Sequence, residues 1–113
     1  MKVKLDFSIL DYNGKSLYKV PATNKTISMY RLVMISLNNP APQETISRED
    51  KVKSFELGVK IAASKKEVDL SISDIAYIRN RIDTVIQDPL LHGRGLEYFD
   101  SLDKKEKEKK KAK

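Results

Sequence analysis

Few side chains in this 113-residue sequence are of the types that carry out catalysis or bind metals. The chain has a single histidine, His92, and no cysteine. A catalytic triad needs partner groups at a defined geometry, and zinc sites combine several histidine, cysteine or carboxylate ligands. His92 stands between Leu91 and Gly93. We therefore interpret it as a packing or surface residue.

Two pairs of aspartates lie five residues apart, Asp69 with Asp74 and Asp83 with Asp88. Paired carboxylates do acid–base work in glycosidases. Here Asp74 follows Ser71 at the spacing of a helix capping box, and Asp88 precedes a proline as a helix N-cap does. Helix capping therefore accounts for Asp74 and Asp88, and neither pair of aspartates needs a catalytic role.

The segment Gly93-Arg94-Gly95 has neither the Walker nor the GxGxxG spacing of a phosphate-binding loop. We interpret its glycines as places where helices approach closely. The sequence thus predicts no catalytic residue, no metal site and no cofactor, and an enzyme is the least favoured class.

The positive charge is concentrated at the C-terminal end. The chain carries a formal charge of +6, but its last ten residues hold seven lysines and two glutamates. The rest of the chain is close to neutral, so the charge predicts nucleic-acid or acidic-partner binding only for this tail. The opposing interpretation is a solubilising tail. The candidate binding lysines are Lys104, Lys105, Lys107, Lys109, Lys110, Lys111 and Lys113.

Three arginines are further candidates for phosphate contacts. Arg79 and Arg81 fall on the polar face of a predicted helix, and Arg94 lies in the next one. Asp83 lies four residues after Arg79, and an ion pair between the two explains the presence of that arginine at least as well as a phosphate contact does.

Residues 2–20 are predicted to form a β-hairpin. Val3, Leu5, Phe7 and Ile9 alternate with polar residues, as in a half-buried strand. Asn13-Gly14 then predicts a two-residue type I′ turn, which sets Phe7 opposite Val20 and Ile9 opposite Tyr18.

Helical patterns follow in four places. The first runs from a Thr26 cap to Asn38 with Tyr30, Val33, Met34 and Leu37 as its stripe. The second runs from a Ser47 cap to about Ser64, and its main stripe is predicted to be Val52, Phe55, Val59 and Ala62. Leu57 and Ile61 widen this stripe, so burial of the helix on more than one side is an alternative. The third begins at Ser71 and buries Ile75, Ile78, Ile82, Val85 and Ile86. The last begins at Asp88-Pro89 and turns Leu91, Tyr98, Phe99 and Leu102 inward.

The fold prediction is a single α+β domain over residues 1–103. It has an N-terminal β-hairpin, three or four short helices, and a short third strand at Glu67–Leu70 that joins the hairpin. After Leu102 the apolar pattern stops, so residues 104–113 are predicted to be a flexible tail, either disordered or a frayed helical extension. The apolar runs are too short to span a membrane, and the absence of cysteine fits a reducing cytoplasm.

The order of these elements resembles that of small, uncharacterised accessory proteins of tailed bacteriophages and prophages. The resemblance covers about residues 1–100 and excludes the tail. It lies in the segments Asp11-Tyr12-Asn13-Gly14-Lys15, Lys53–Ile61, Val68–Ser71, Asp74–Ile82 and Pro89–Arg94. It implies an accessory protein acting in the host cytoplasm or in particle assembly, and it supplies no catalytic residues.

Three hypotheses of function follow. The first is a small protein that binds another protein, as a modulator of a host system or as an assembly factor. The second is a nucleic-acid-binding protein that uses the tail and the three arginines. The third is a minor structural component of the virion. A homo-oligomer stays an alternative, because a hairpin edge is available for pairing.

Overall fold

The computed structural model confirms the α+β class. It describes residues 1–64 and 67–111, the side chains of 106–111 excepted. The elements in chain order are β1 (Lys2–Lys4), β2 (Lys19–Val20), β3 (Lys25–Thr26), α1 (Met29–Asn38), α2 (Arg48–Ala63), β4 (Glu67–Asp69), α3 (Ile72–Val85) and α4 (Pro89–Lys111). Helix α4 therefore continues into the lysine-rich segment, as in the helical form of the predicted extension. Residues 112–113 lie outside the described residues.

The predicted third strand pairs with the start of the chain. β4 runs antiparallel to β1, with Lys2 opposite Asp69 and Val3 opposite Val68. Val3 and Val68 are both buried, because one face of this ribbon covers the helices. The N-terminal strand thus finds its partner far along the chain, at residues 67–69.

The hairpin keeps the predicted register near its turn and departs from it further out. Leu10 forms a bridge with Leu17, and the amide of Tyr18 donates to the carbonyl of Ile9. Val20 does not face Phe7, however, but pairs with Lys25 in a second small ribbon formed by β2 and β3. Pro21 follows Val20 and has no N–H to offer, so the chain turns there.

The turn itself is not of type I′, which needs positive φ at both central residues. Gly14 has a φ of 71°, whereas Asn13 is not among the residues with positive φ. Side chains hold the turn instead. Asp11 Oδ1 accepts from the amide of Asn13, and Asn13 Oδ1 accepts from the amides of Lys15 and Ser16.

The helices begin at serine or aspartate caps. Ser28 Oγ accepts from the amide of Arg31, so α1 starts three residues after the predicted Thr26 cap, which lies in β3. Ser47 caps α2 as predicted. The capping box of Ser71 and Asp74 is complete in α3.

The core lies between α1, α3 and α4, with the β1–β4 ribbon against it. The predicted apolar face of α3 is confirmed at its buried positions Ile75, Ile78, Ile82 and Val85. Helix α4 buries Leu91, Phe99 and Leu102, also as predicted. Phe99, Ile78 and Ile82 are fully enclosed and mark the centre of the molecule.

Gly95 allows α4 to approach α3 closely, which confirms the interpretation of the glycine pair at this position. A Cβ atom built there would lie 2.8 Å from Ile82 Cγ2 and 3.2 Å from Leu32 Cδ2. Gly93 has no atom within 4 Å of the same point. Only Gly95 is therefore required by packing.

Candidate functional site

The outer face of α2 carries an exposed row of apolar side chains. Val52, Phe55 and Val59 expose 47%, 71% and 54% of their surface. Ala62 continues the row and is also exposed. We call these four residues the α2 stripe. The prediction that they form the buried face of this helix is wrong.

The buried face of α2 has only two large apolar side chains, Leu57 and Ile61, and its other buried positions are Ser54 and Gly58. Gly58 lies on the side of α2 that faces α1, where a Cβ would make an ordinary contact with Met34 Cε at 3.9 Å. Ser54 lies 2.7 Å from the hydroxyl of Tyr77, and that hydroxyl donates to the carbonyl of Asp50. The serine therefore donates to Tyr77, and its hydroxyl is satisfied inside the fold.

Charged side chains line both flanks of the α2 stripe. Lys53 and Lys60 reach back to Asp74 on α3, with N–O distances of 3.8 and 4.0 Å. Lys53 also stands over the ring of Tyr77, 5.4 Å from its centroid. Lys51 and Glu56, by contrast, take part in none of the ion pairs between described residues.

A groove runs beside Phe55, between α2 and the loop that joins it to α1. Its volume is about 560 Å³, and its lining includes Leu37, Pro40, Ile46, Lys51 and Phe55. The groove is continuous with the α2 stripe through Phe55. The two together form one surface that combines apolar side chains with a charged rim, the composition of many protein-binding sites.

Arg81 holds the wall of this groove in place. Its guanidinium donates to both carboxylate oxygens of Glu44, at 2.7 and 3.1 Å, and to the carbonyls of Ser36 and Asn39. The hydrogen bonds from Arg81 hold the pKa of Glu44 below its usual value. Arg81 is only 6% exposed. Its predicted position on the exposed polar face of the helix is therefore wrong, and its contact with phosphate stays a prediction.

The other two candidate arginines are also bound to groups of the chain itself. Arg79 Nε lies 2.5 Å from Asp100 Oδ1, so its ion pair is formed with Asp100, whereas the predicted partner Asp83 lies 2.7 Å from His92 Nε2. Arg94 donates to the carbonyls of Leu10 and Asp11 at the hairpin. Each of the three arginines thus contacts a different part of the chain, and the structure does not gather Arg79, Arg81 and Arg94 into one basic surface.

The tail lysines occupy the end of α4. Lys104 and Lys105 are exposed helical residues, and Lys107, Lys109, Lys110 and Lys111 lie on helical backbone. Lys113 lies outside the described residues. Their binding of nucleic acid or of an acidic partner stays a prediction.

The residues whose side chains could carry out acid–base chemistry are bound to other groups of the fold. His92 Nε2 lies 2.7 Å from Asp83 Oδ1. Asp88 Oδ1 accepts from the amides of Leu90 and Leu91 as an N-cap, and its Oδ2 accepts from the hydroxyl of Tyr18 at 2.5 Å. That hydrogen bond raises the pKa of Tyr18 to about 12.

Asp69 and Asp74 complete the set of aspartates considered above. Asp69 Oδ1 accepts from the α-amino group of Met1 at 2.9 Å. Asp74 caps α3 and faces the two lysines of α2. Among the described residues, no three histidine or acidic side chains are grouped so as to hold a metal ion.

Comparison with other proteins adds no relative. No family model, curated protein or solved structure matches this chain. In the part of the chain that the structure describes, no helix has the length and apolar character needed to cross a membrane.

The α2 stripe is the site that sequence reasoning missed. The only available signal was its regular spacing, which is the same for a buried and for an exposed row.

Proposed function

We propose that this chain is a small, non-enzymatic bacteriophage accessory protein that acts in the host cytoplasm by binding another protein. It would be a modulator of a host system or an assembly factor. The observation that carries the proposal is the α2 stripe, in particular Phe55 at 71% exposure in the middle of a helix. Burying such a side chain against a partner is worth about 1.5–3 kcal/mol, and aromatic anchors dominate many interfaces.

The surroundings of Phe55 support the same function. The groove next to it offers a concave apolar surface, and the Arg81–Glu44 ion pair fixes the loop that forms its wall. A preformed surface loses little conformational entropy when a partner binds. The three arginines that would support a nucleic-acid interface are already engaged within the chain.

The test is capture of partners by tagged full-length protein from a nuclease-treated lysate of the bacterium that carries the gene. Phe55→Glu should reduce the captured protein about tenfold or more, because a buried charge at an interface centre is strongly unfavourable. Val59→Glu, further along the α2 stripe, should act in the same direction. Circular dichroism should show that both variants keep the wild-type fold, since both side chains point to solvent.

Tyr12→Glu is the matched control. Tyr12 is an aromatic residue at 79% exposure on the hairpin, far from the α2 stripe in the sequence. This variant should capture the same proteins as wild type. Equal capture by wild type and Phe55→Glu would overturn the role of the α2 stripe. Capture that disappears with nuclease would overturn direct protein binding and favour the nucleic-acid hypothesis.

A further inference from the structure

The α2 stripe has the spacing of a coiled-coil seam. Val52, Phe55, Val59 and Ala62 follow one another at intervals of three, four and three residues. In heptad terms they occupy the a, d, a and d positions. Helix α2 is already folded against α1, so a second helix can pack on this seam without any cost of forming α2 itself.

The charges that flank the seam are self-complementary. With Val52 at position a, Lys51 falls at g and Glu56 falls at e of the same seam. In a parallel pair of helices, each g residue faces the e residue five positions further along the partner helix. Lys51 of one copy would therefore face Glu56 of the other, and a two-fold axis creates this attraction twice.

An antiparallel pair would be disfavoured by the same residues. In that arrangement e positions face e positions, so the acidic row of Glu49 and Glu56 would face itself. The neighbouring lysines Lys53 and Lys60 do not neutralise this row for a partner, because they are directed at Asp74 of their own chain. The charge pattern thus selects the parallel arrangement.

We propose that, while no other protein is bound, the α2 stripe is covered by the α2 helix of a second copy of this chain, in a parallel two-fold dimer. This inference rests on the proposed use of the α2 stripe as a protein contact. The seam spans only about two heptads and offers three large apolar side chains, whereas stable complexes bury roughly 800 Å² and about 20–30 residues per partner. The dimer is accordingly weak and dependent on concentration.

The test is sedimentation equilibrium of the purified full-length chain between about 10 µM and about 1 mM, a range chosen for a weak complex. The wild-type mass should rise with concentration from 12.9 kDa toward twice that value. Phe55→Glu should remain monomeric. Lys51→Glu and Glu56→Lys should each weaken self-association by about tenfold, because each places like charges in both flanking pairs.

The decisive sample is an equimolar mixture of the Lys51→Glu and Glu56→Lys proteins. In a parallel mixed dimer both flanking pairs again join a lysine to a glutamate, so the mixture should associate as strongly as wild type. Lys15→Glu is the matched control, since it makes the same charge change on the hairpin and should behave as wild type. No gain on mixing would overturn the parallel arrangement.

The outcome also separates this inference from the proposed function. A wild-type chain that stays monomeric to about 1 mM would overturn the dimer. If capture of another protein were then still lost in Phe55→Glu, the proposed function would stand without the dimer. A monomeric chain whose captured proteins are unchanged by Phe55→Glu would overturn both.

Discussion

At the scale of single residues, the buried guanidinium of Arg81 connects two parts of the fold. It joins α3 to the loop after α1 through Glu44 and two backbone carbonyls. No sequence pattern indicated this, because Arg81 lies among polar residues of α3 and its partner Glu44 is in an irregular loop. The burial of Arg81 depends on where that loop runs, which periodicity does not encode.

Replacing Arg81 should destabilise the protein strongly. Arg81→Met removes the donor to Glu44, Ser36 and Asn39, so we expect the free energy of unfolding to fall by about 3 kcal/mol. Urea denaturation at neutral pH measures this. Arg79→Met is the control, since its ion pair with Asp100 lies at the surface and should cost about 1 kcal/mol or less. Equal losses would show that Arg81 has no special role.

The same ion pair makes a contribution to stability that depends on pH. The folded state lowers the pKa of Glu44, so this contribution is complete above the unfolded pKa of about 4.3 and is lost as pH falls through the folded pKa. Wild type should therefore lose stability on acidification more steeply than Glu44→Gln. Parallel curves of unfolding free energy against pH for the two proteins would contradict this.

At the scale of elements, the crossing of α3 and α4 depends on Gly95. Gly95→Ala should lower the free energy of unfolding by about 1–3 kcal/mol, because Ile82 and Leu32 must move away from the new methyl group. Gly93→Ala on the same helix meets no atom and should raise stability by up to about 1 kcal/mol through helix propensity. Thermal unfolding of the pair measures the difference, and a stabilised Gly95→Ala would contradict the packing argument.

The elements differ in how much of them the sequence predicts. α3 is predicted well, because its capping box and its single row of isoleucines leave one solution for the buried face. α2 carries two rows with apolar residues, and the row that contains more of them, with the aromatic Phe55, is the exposed one. The other row is buried at Leu57 and Ile61, and its Ser54 forms a hydrogen bond with Tyr77 of α3. Which row is buried depends on the shapes of neighbouring elements, so the pattern of α2 alone does not reveal it.

At the scale of the whole molecule, the separation of charge limits where nucleic acid can bind. The three arginines serve the fold, so any affinity for DNA or RNA should come from residues 104–113. Deleting these ten residues should abolish any retardation of DNA at low salt, and it should leave the melting temperature nearly unchanged because Leu102 is the last buried residue described. Arg79→Ala should leave such retardation unchanged. Retardation that survives the deletion would place the contact on the folded body.

The pairing of β1 with β4 also bears on the order in which the chain folds. Strand β1 pairs with Glu67–Asp69, so the first strand to be synthesised has no partner until more than half of the chain has been made. Closing so long a loop costs entropy that only the assembled helices offset, whereas α1 and α2 need only their neighbours in sequence. We therefore expect the β1–β4 ribbon to form late, after the helices have packed together, and Val3 to stay exposed to solvent until then.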